Sequence, residues 1–201
     1  MSRGIFITFE GLDGCGKSTQ ALLLKSYLEK KELKIYLTRE PGGTQVGDKI
    51  REILLSSNFK LNFWTEVFLY IASRVENSEM IKQKLEEGYV VICERYADST
   101  LAYQGYGRGL PLNVLEELNR IATLGLEPTL TFLIDVDPQV ALSRKRSFDR
   151  IERESIDFYY RVREGYFEIA KKEENRFIII PGELSQDEVF RYIISHVEKL
   201  I

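Results

Sequence analysis

Residues 4–19 constrain this chain more than any other stretch. An apolar, β-type run, Gly4-Ile5-Phe6-Ile7-Thr8-Phe9-Glu10, meets a glycine-rich turn, Gly11-Leu12-Asp13-Gly14-Cys15-Gly16-Lys17-Ser18-Thr19. A helix-compatible run from Gln20 to Leu28 follows. The turn matches G-x-x-x-x-G-K-[ST] at every fixed position, and strand, loop and helix stand in the order this motif requires. Its glycines let the backbone curl so that successive N–H groups point inward at phosphate oxygens. The helix opening at Lys17 adds the positive end of its dipole. Lys17 is expected to reach the β- and γ-phosphates, and the Ser18 hydroxyl to ligate Mg²⁺. A chance glycine turn is the bland alternative, and the ordered strand, loop and helix argue against it. We read a site for nucleotide phosphates.

The rest of the chain repeats the strand–helix alternation. Apolar runs at Lys34–Thr38, Tyr89–Cys93, Leu130–Asp135 and Phe177–Ile180 read as further strands. Helices are expected over Val46–Leu55, Phe63 to about Glu87, Val114–Thr123, Gln139 to about Lys145 and Ile156–Lys172. A last helix is capped by Ser185, with Glu188 completing a capping box. Ser99–Gly109, rich in glycine and tyrosine, reads as an active-site loop with a short helix. Five strands alternating with helices predict a parallel sheet covered on both faces, in one domain spanning residues 1–201.

Global composition narrows the function classes. A net charge of −3 offers no basic surface for a nucleic-acid polymer or a membrane. No apolar run approaches the roughly 20 residues of a membrane span, and the N-terminus enters a strand too soon for a signal peptide. The two cysteines, Cys15 and Cys93, suggest reduced thiols and a cytoplasmic protein. Guanine-specific N-K-x-D motifs are missing, which excludes a GTPase switch. No apolar strand ends in Asp-Glu, as one would in a motor or transport ATPase.

What remains is small-molecule phosphoryl transfer, and the arginines point to its acceptor. Arg95 directly follows the apolar strand Tyr89–Cys93, at the end where the phosphate loop also lies. A guanidinium there would bind two oxygens of an acceptor phosphate. A phosphate monoester, with a second pKa near 6, is already a good nucleophile and needs no general base. Positioning and charge neutralisation then suffice, which is arginine and Mg²⁺ chemistry. The single histidine, His196, lies in the last helix, away from the motifs.

Several segments, in order, resemble thymidylate kinases, the family that converts dTMP and ATP to dTDP and ADP for dTTP synthesis. They are Phe9–Thr19, Thr38-Arg39-Glu40-Pro41-Gly42-Gly43-Thr44, Glu94-Arg95-Tyr96, Ala102-Tyr103-Gln104-Gly105, Asp149-Arg150-Ile151-Glu152 and Val162-Arg163-Glu164-Gly165-Tyr166. The resemblance implies a P-loop, NMP-kinase-like three-layer α/β fold with a five-stranded parallel sheet, a short basic lid at 144–154, Mg²⁺ as cofactor and a homodimer. It gives Gly11, Leu12, Asp13, Gly14, Cys15, Gly16, Lys17, Ser18 and Thr19 to ATP, with Arg144 stacked on adenine. Asp13 is implied on the sugar 3′-hydroxyl, although on physics alone it serves equally as a turn residue. Arg51 and Arg95 are implied on the dTMP phosphate, Tyr70 stacked on thymine and Arg74 on a base carbonyl. Core packing is the competing reading for Tyr70. Thr100 is implied at the base N3, Tyr103 at the sugar 2′ position and Gln104 in support.

Two departures from the family pattern stand out. Glu94 occupies a position that is usually Asp and helps organise the Mg²⁺ shell; with Ser18 it forms the implied metal pair. Gly14 stands where some members carry a catalytic arginine, so the extra positive charge is expected from the lid, from Arg146 or Arg150. The implied catalytic set is Lys17, Glu94, Arg95, Arg146 and Arg150, the lid arginines acting on kcat more than on KM. The nearest rivals are a kinase for another nucleotide or a deoxynucleoside, and a nucleotide-binding adaptor module. Two local features are expected as well: a cis Glu40-Pro41 peptide, and a reactive Cys15 in its ring of N–H groups beside an inert Cys93.

Overall fold

The computed structural model describes residues 4–144 and 149–201. Among these residues the strands are β1 (Ile5–Glu10), β2 (Ile35–Arg39), β3 (Val90–Glu94), β4 (Leu130–Asp135) and β5 (Phe177–Pro181). They form one parallel sheet in the order β2-β3-β1-β4-β5. The three central strands are buried nearly throughout, which is why they read as continuous apolar runs rather than alternating ones. Successive β1 side chains divide between the two faces. Ile7 and Phe9 join the main core with Leu24, Leu28 and Ile193, while Phe6 packs in a second cluster with Val91, Ile81 and Tyr96.

The helices are α1 (Lys17–Glu29), α2 (Gln45–Leu55), α3 (Phe63–Glu86), α4 (Ala97–Thr100), α5 (Leu112–Ala122), α6 (Pro138–Ser143), α7 (Ile156–Lys172) and α8 (Gln186–Val197). Side chains cap most of the long ones: Thr44 caps α2, Asn62 caps α3, Ser155 caps α7, and Ser185 with Glu188 forms the expected capping box on α8. Helix α1 differs. It starts at Gly16, whose φ of 103° no side chain favours, and no side chain caps it. Its first-turn N–H groups therefore face the cleft without a protein cap, as an anion site requires.

Ser99–Gly109 departs from the expected loop. Helix α4 runs directly into a π-helical segment, Leu101–Gly107, with Arg108 N–H donating to the Tyr103 carbonyl at 3.0 Å. Two of the glycines that suggested a loop, Gly105 and Gly107, are there for close packing. A Cβ on Gly107 would lie 2.6 Å from the Phe158 ring. The wide turn directs Tyr103, Gln104 and Arg108 toward the sheet's carboxyl edge, a use to which π segments are often put.

The parallel register assembles that edge. Glu94 pairs with Phe9 on one side and Arg39 on the other, so the ends of β1, β2 and β3 lie together beside the phosphate loop. Glu40-Pro41, just beyond β2, is cis, as the sequence predicts. Open parallel sheets bind ligands at this edge.

Candidate active site

The phosphate loop is held from beneath by its own lysine. Lys17 Nζ donates to the Gly11 carbonyl at 3.0 Å and the Leu12 carbonyl at 2.7 Å. Leu12 and Cys15 turn into the core, while Asp13, Gly14, Gly16, Lys17, Ser18 and Thr19 line an open cleft of about 1030 Å³. Arg144 lines the same cleft, its guanidinium donating to the Gly182 carbonyl at 3.3 Å. At Gly14, φ is +85° and an added Cβ would lie 2.2 Å from the Ala141 carbonyl oxygen. A side chain has no room there in this backbone, so a loop arginine at this position is ruled out by α6.

A second, narrower cleft, of about 70 Å³, adjoins the first. Asp13, Arg51, Tyr70, Arg74, Arg95, Thr100, Tyr103 and Gln104 all line it, although they come from five parts of the chain. Asp13, Arg51 and Arg95 border both clefts. Tyr70 and Arg74, four residues apart on α3, present one face to it.

Arg74 is almost wholly buried, with 1% of its side chain exposed, and is directed by its neighbours. Its Nε donates to Glu40 at 2.7 Å, Nη1 to Thr100 Oγ1 and Asn119 Oδ1 at 2.7 Å each, and Nη2 to the Tyr96 carbonyl at 2.9 Å. Four of its five N–H groups are thus committed to the protein, leaving one on Nη2.

Arg95 sits where the clefts meet. Nη2 donates to Asp13 Oδ1 at 2.7 Å and to Tyr103 Oη at 3.1 Å, and Nη1 to the Gly11 carbonyl at 2.9 Å. Its backbone has φ of +65°, a left-handed conformation that costs a non-glycine residue about 1–3 kcal/mol. Two backbone contacts hold it: Arg95 N–H donates to the Phe9 carbonyl at 2.9 Å, and the Cys93 thiol donates to the Arg95 carbonyl at 3.0 Å.

The electrostatics suit an anion at this junction. Burial first, and then the charges of Arg39 and Arg95, lower the Arg51 guanidinium. Burial alone would raise the Asp13 carboxyl, but Arg95 and Lys17 outweigh it and hold the group well below the usual carboxylate range. Burial pushes the Tyr103 and Tyr166 hydroxyls well up, so both remain donors at neutral pH.

The family model for thymidylate kinase matches residues 9–193. The chain belongs to the thymidylate kinase family. It is 45% identical over 202 residues to the thymidylate kinase of Thermoanaerobacter sp. strain X514, covering 99% of this chain and 100% of that one. Over 195 residues it is 45% identical to the thymidylate kinase of Kosmotoga olearia, covering 95% and 94%. The crystal structure of thymidylate kinase from Ehrlichia chaffeensis superposes with a TM-score of 0.80 at 36% identity, covering 98% of this chain and 99% of that one. The fold is accordingly the P-loop NMP-kinase fold.

Measured against the thymidylate kinase pattern, the structure brings the acceptor and phosphate-loop residues together. Ser18 and Glu94 meet as well, the hydroxyl donating to Glu94 Oε2 at 2.6 Å. Arg146 lies outside the described residues. Arg150 points away from both clefts, its Nε donating to the Leu54 carbonyl at 2.9 Å. The expected reactivity of Cys15 needs correction, because its thiol is only 3% exposed and packs below the loop. Loop position alone does not say which way a side chain turns.

The sequence reading missed the carboxylates behind the site. Glu10 accepts from Tyr96 N–H, Ser99 and Tyr166 at 2.6–2.8 Å, Glu40 pairs with Arg74, and Glu66 accepts from Gln104 and Arg108. Glu66, Tyr70 and Arg74 recur every four residues on α3, the one signal from which Glu66 could have been placed on their helix face.

Proposed function

We propose that this chain transfers the γ-phosphoryl group of ATP to dTMP, giving dTDP and ADP. One observation carries the reading: a cleft lined by the phosphate loop and a second lined by Tyr70, Arg74, Thr100 and Tyr103 share Asp13, Arg51 and Arg95. The loop from Asp13 to Thr19 would cradle the ATP phosphates, with Lys17 on the outer ones and Arg144 beside the base. Arg51 and Arg95 would hold the dTMP phosphate at the junction, facing the γ-phosphoryl group for in-line attack. The acceptor's own phosphate oxygen attacks, so no residue acts as general base. Tyr70 offers thymine a ring face, Arg74 its remaining Nη2 hydrogen to the 4-carbonyl, and Thr100 and Gln104 close the pocket. Asp13 would accept from the 3′-hydroxyl, with Tyr103 crowding the 2′ position.

Ser18 and Glu94 supply a hydroxyl and a carboxylate oxygen beside the phosphate loop, a hard donor set that suits Mg²⁺ with phosphate oxygens as its other ligands. When bound there, Mg²⁺ supplies neutralisation of charge on the transferring phosphates. Glu94, longer than the usual aspartate, keeps Ser18 oriented. The reading includes a single kinase domain, a lid over 144–154, and cytoplasmic location. No described helix is long and apolar enough to cross a membrane. A homodimer is part of it too, supported by Val46, Ile53, Phe63 and Phe68, exposed on α2 and α3. The test is product analysis: ATP, Mg²⁺ and dTMP should yield dTDP and ADP in equal amounts, and ATP hydrolysis without dTDP would refute the reading.

A further inference from the structure

Glu66 is fully buried, and three residues converge on its carboxylate. Oε1 accepts from Gln104 Nε2 at 2.9 Å and Arg108 Nε at 2.7 Å, while Oε2 accepts from Arg108 Nη2 at 3.0 Å. Arg150 Nη2 lies 2.7 Å from Oε2, an ion pair without hydrogen-bond alignment. Arg108 also pairs with Glu154 at 2.9 Å, so two guanidiniums face two carboxylates. Burial alone would raise Glu66, yet the Arg108 hydrogen bonds and charge bring it below its ordinary value and keep it ionised.

Arg150 is also stitched to the end of α2. Its Nε donates to the Leu54 carbonyl at 2.9 Å and its backbone N–H to the Leu55 carbonyl at 3.2 Å. On either side of it, Asp149 and Ile151 line the acceptor cleft, whereas Arg150 lines neither cleft. A transition-state arginine must present its guanidinium to the reacting phosphate, and this one presents it to Glu66 and Leu54.

We propose that Glu66 and Arg150 are a positioning pair that clamps the Asp149–Ile151 turn onto the acceptor cleft. The clamp joins α2, which carries Arg51, to α3, which carries Tyr70 and Arg74. Arg150 therefore serves acceptor binding through the shape of the cleft, not the transferring phosphoryl group. The inference rests on the reading of that cleft as the dTMP site.

Calorimetric titration with dTMP in the absence of ATP isolates binding from chemistry. It is run on wild type, Arg150→Met, Arg150→Lys and Glu66→Gln, beside steady-state kinetics and ATP titrations. For Arg150→Met and Glu66→Gln, Kd and KM for dTMP should rise about 10- to 100-fold, the size expected when a remote change misplaces binding groups. The loss in kcat should be the smaller effect, and ATP affinity should hold. Arg150→Lys, which keeps the charge facing Glu66, should recover part of the dTMP affinity. A large fall in kcat with dTMP Kd unmoved would make Arg150 a transition-state group and overturn the proposal. Equal loss of dTMP and ATP affinity would mark general damage to the fold and also overturn it. Wild-type dTMP binding by every variant would overturn this inference alone. Failure of the wild type to bind dTMP would overturn the acceptor reading, and this inference with it.

Discussion

Replacing Arg74 by Gln tests how the acceptor cleft is built. The guanidinium and its partner Glu40 are 1% and 3% exposed, and the two are 2.7 Å apart. Gln at 74 would leave the Glu40 carboxylate buried with only Asn77, whose Nδ2 donates at 3.2 Å. Removing one partner of a buried pair costs about 3–5 kcal/mol. For a chain of this size, 1 kcal/mol moves Tm by roughly 2–4 °C, so a fall of roughly 6–20 °C is expected. The loss should depend on pH. Burial already raises the Glu40 carboxyl, with Arg74 pulling it down, so removing Arg74 raises it further. A carboxyl raised in the folded state binds protons the unfolded state releases, so the variant regains stability as pH falls through the folded pKa. Calorimetric melts at about pH 8 and about pH 5.5 should show the larger deficit at the higher pH, and adding Glu40→Gln should recover part of it. In kinetics, dTMP use should fall while ATP affinity holds. A Tm deficit under about 3 °C, or one equal at both pH values, would refute the reasoning.

Two smaller predictions probe the surroundings. Cys15 and Cys93 are 3% and 0% exposed, and burial holds the Cys93 thiol well above its ordinary value, so both should resist a thiol reagent in the native protein and react on unfolding; rapid native labelling of either would contradict the packing. Ser185→Ala, which removes the side-chain half of the α8 capping box, should cost about 1 kcal/mol in a urea titration and leave turnover intact.

The fold was legible because the three central strands are buried on both faces and so cannot hide their composition. Even a sparse signal held: Ser185 with Glu188 forms the capping box. The phosphate loop was legible for a different reason, since its glycines answer to backbone geometry that no other residue supplies. The π-helical turn at Leu101–Gly107 was not, because Gly105 and Gly107 look the same in sequence whether they loosen a loop or admit a close neighbour. The buried carboxylates were hidden too. Apart from the four-residue spacing of Glu66 with Tyr70 and Arg74, the residues around Glu10, Glu40 and Glu66 give no sign of burial, and their partners lie 34 to 156 residues away. Arg150 illustrates the limit: position beside a lid made it a catalytic candidate, and its contacts with Leu54 and Glu66, on which the positioning proposal rests, are not legible in the sequence.

The most direct test of the account is kcat/KM across dTMP, dUMP, dCMP, AMP and thymidine with ATP and Mg²⁺. On the proposed site, stacking on Tyr70 would accept any base, so discrimination would fall to the edge offered to Arg74 and to the phosphate offered to Arg51 and Arg95. The thymine methyl only fills apolar space, which places dUMP about 10- to 200-fold below dTMP. Cytosine turns an amino group toward the Arg74 guanidinium and leaves both donors unpaired, a mismatch on the order of 10⁴-fold. Thymidine lacks the phosphate that, on this proposal, the arginines would hold and that would attack. The account predicts dTMP first, dUMP second, and dCMP, AMP and thymidine barely used; dCMP or AMP turned over as well as dTMP would contradict it.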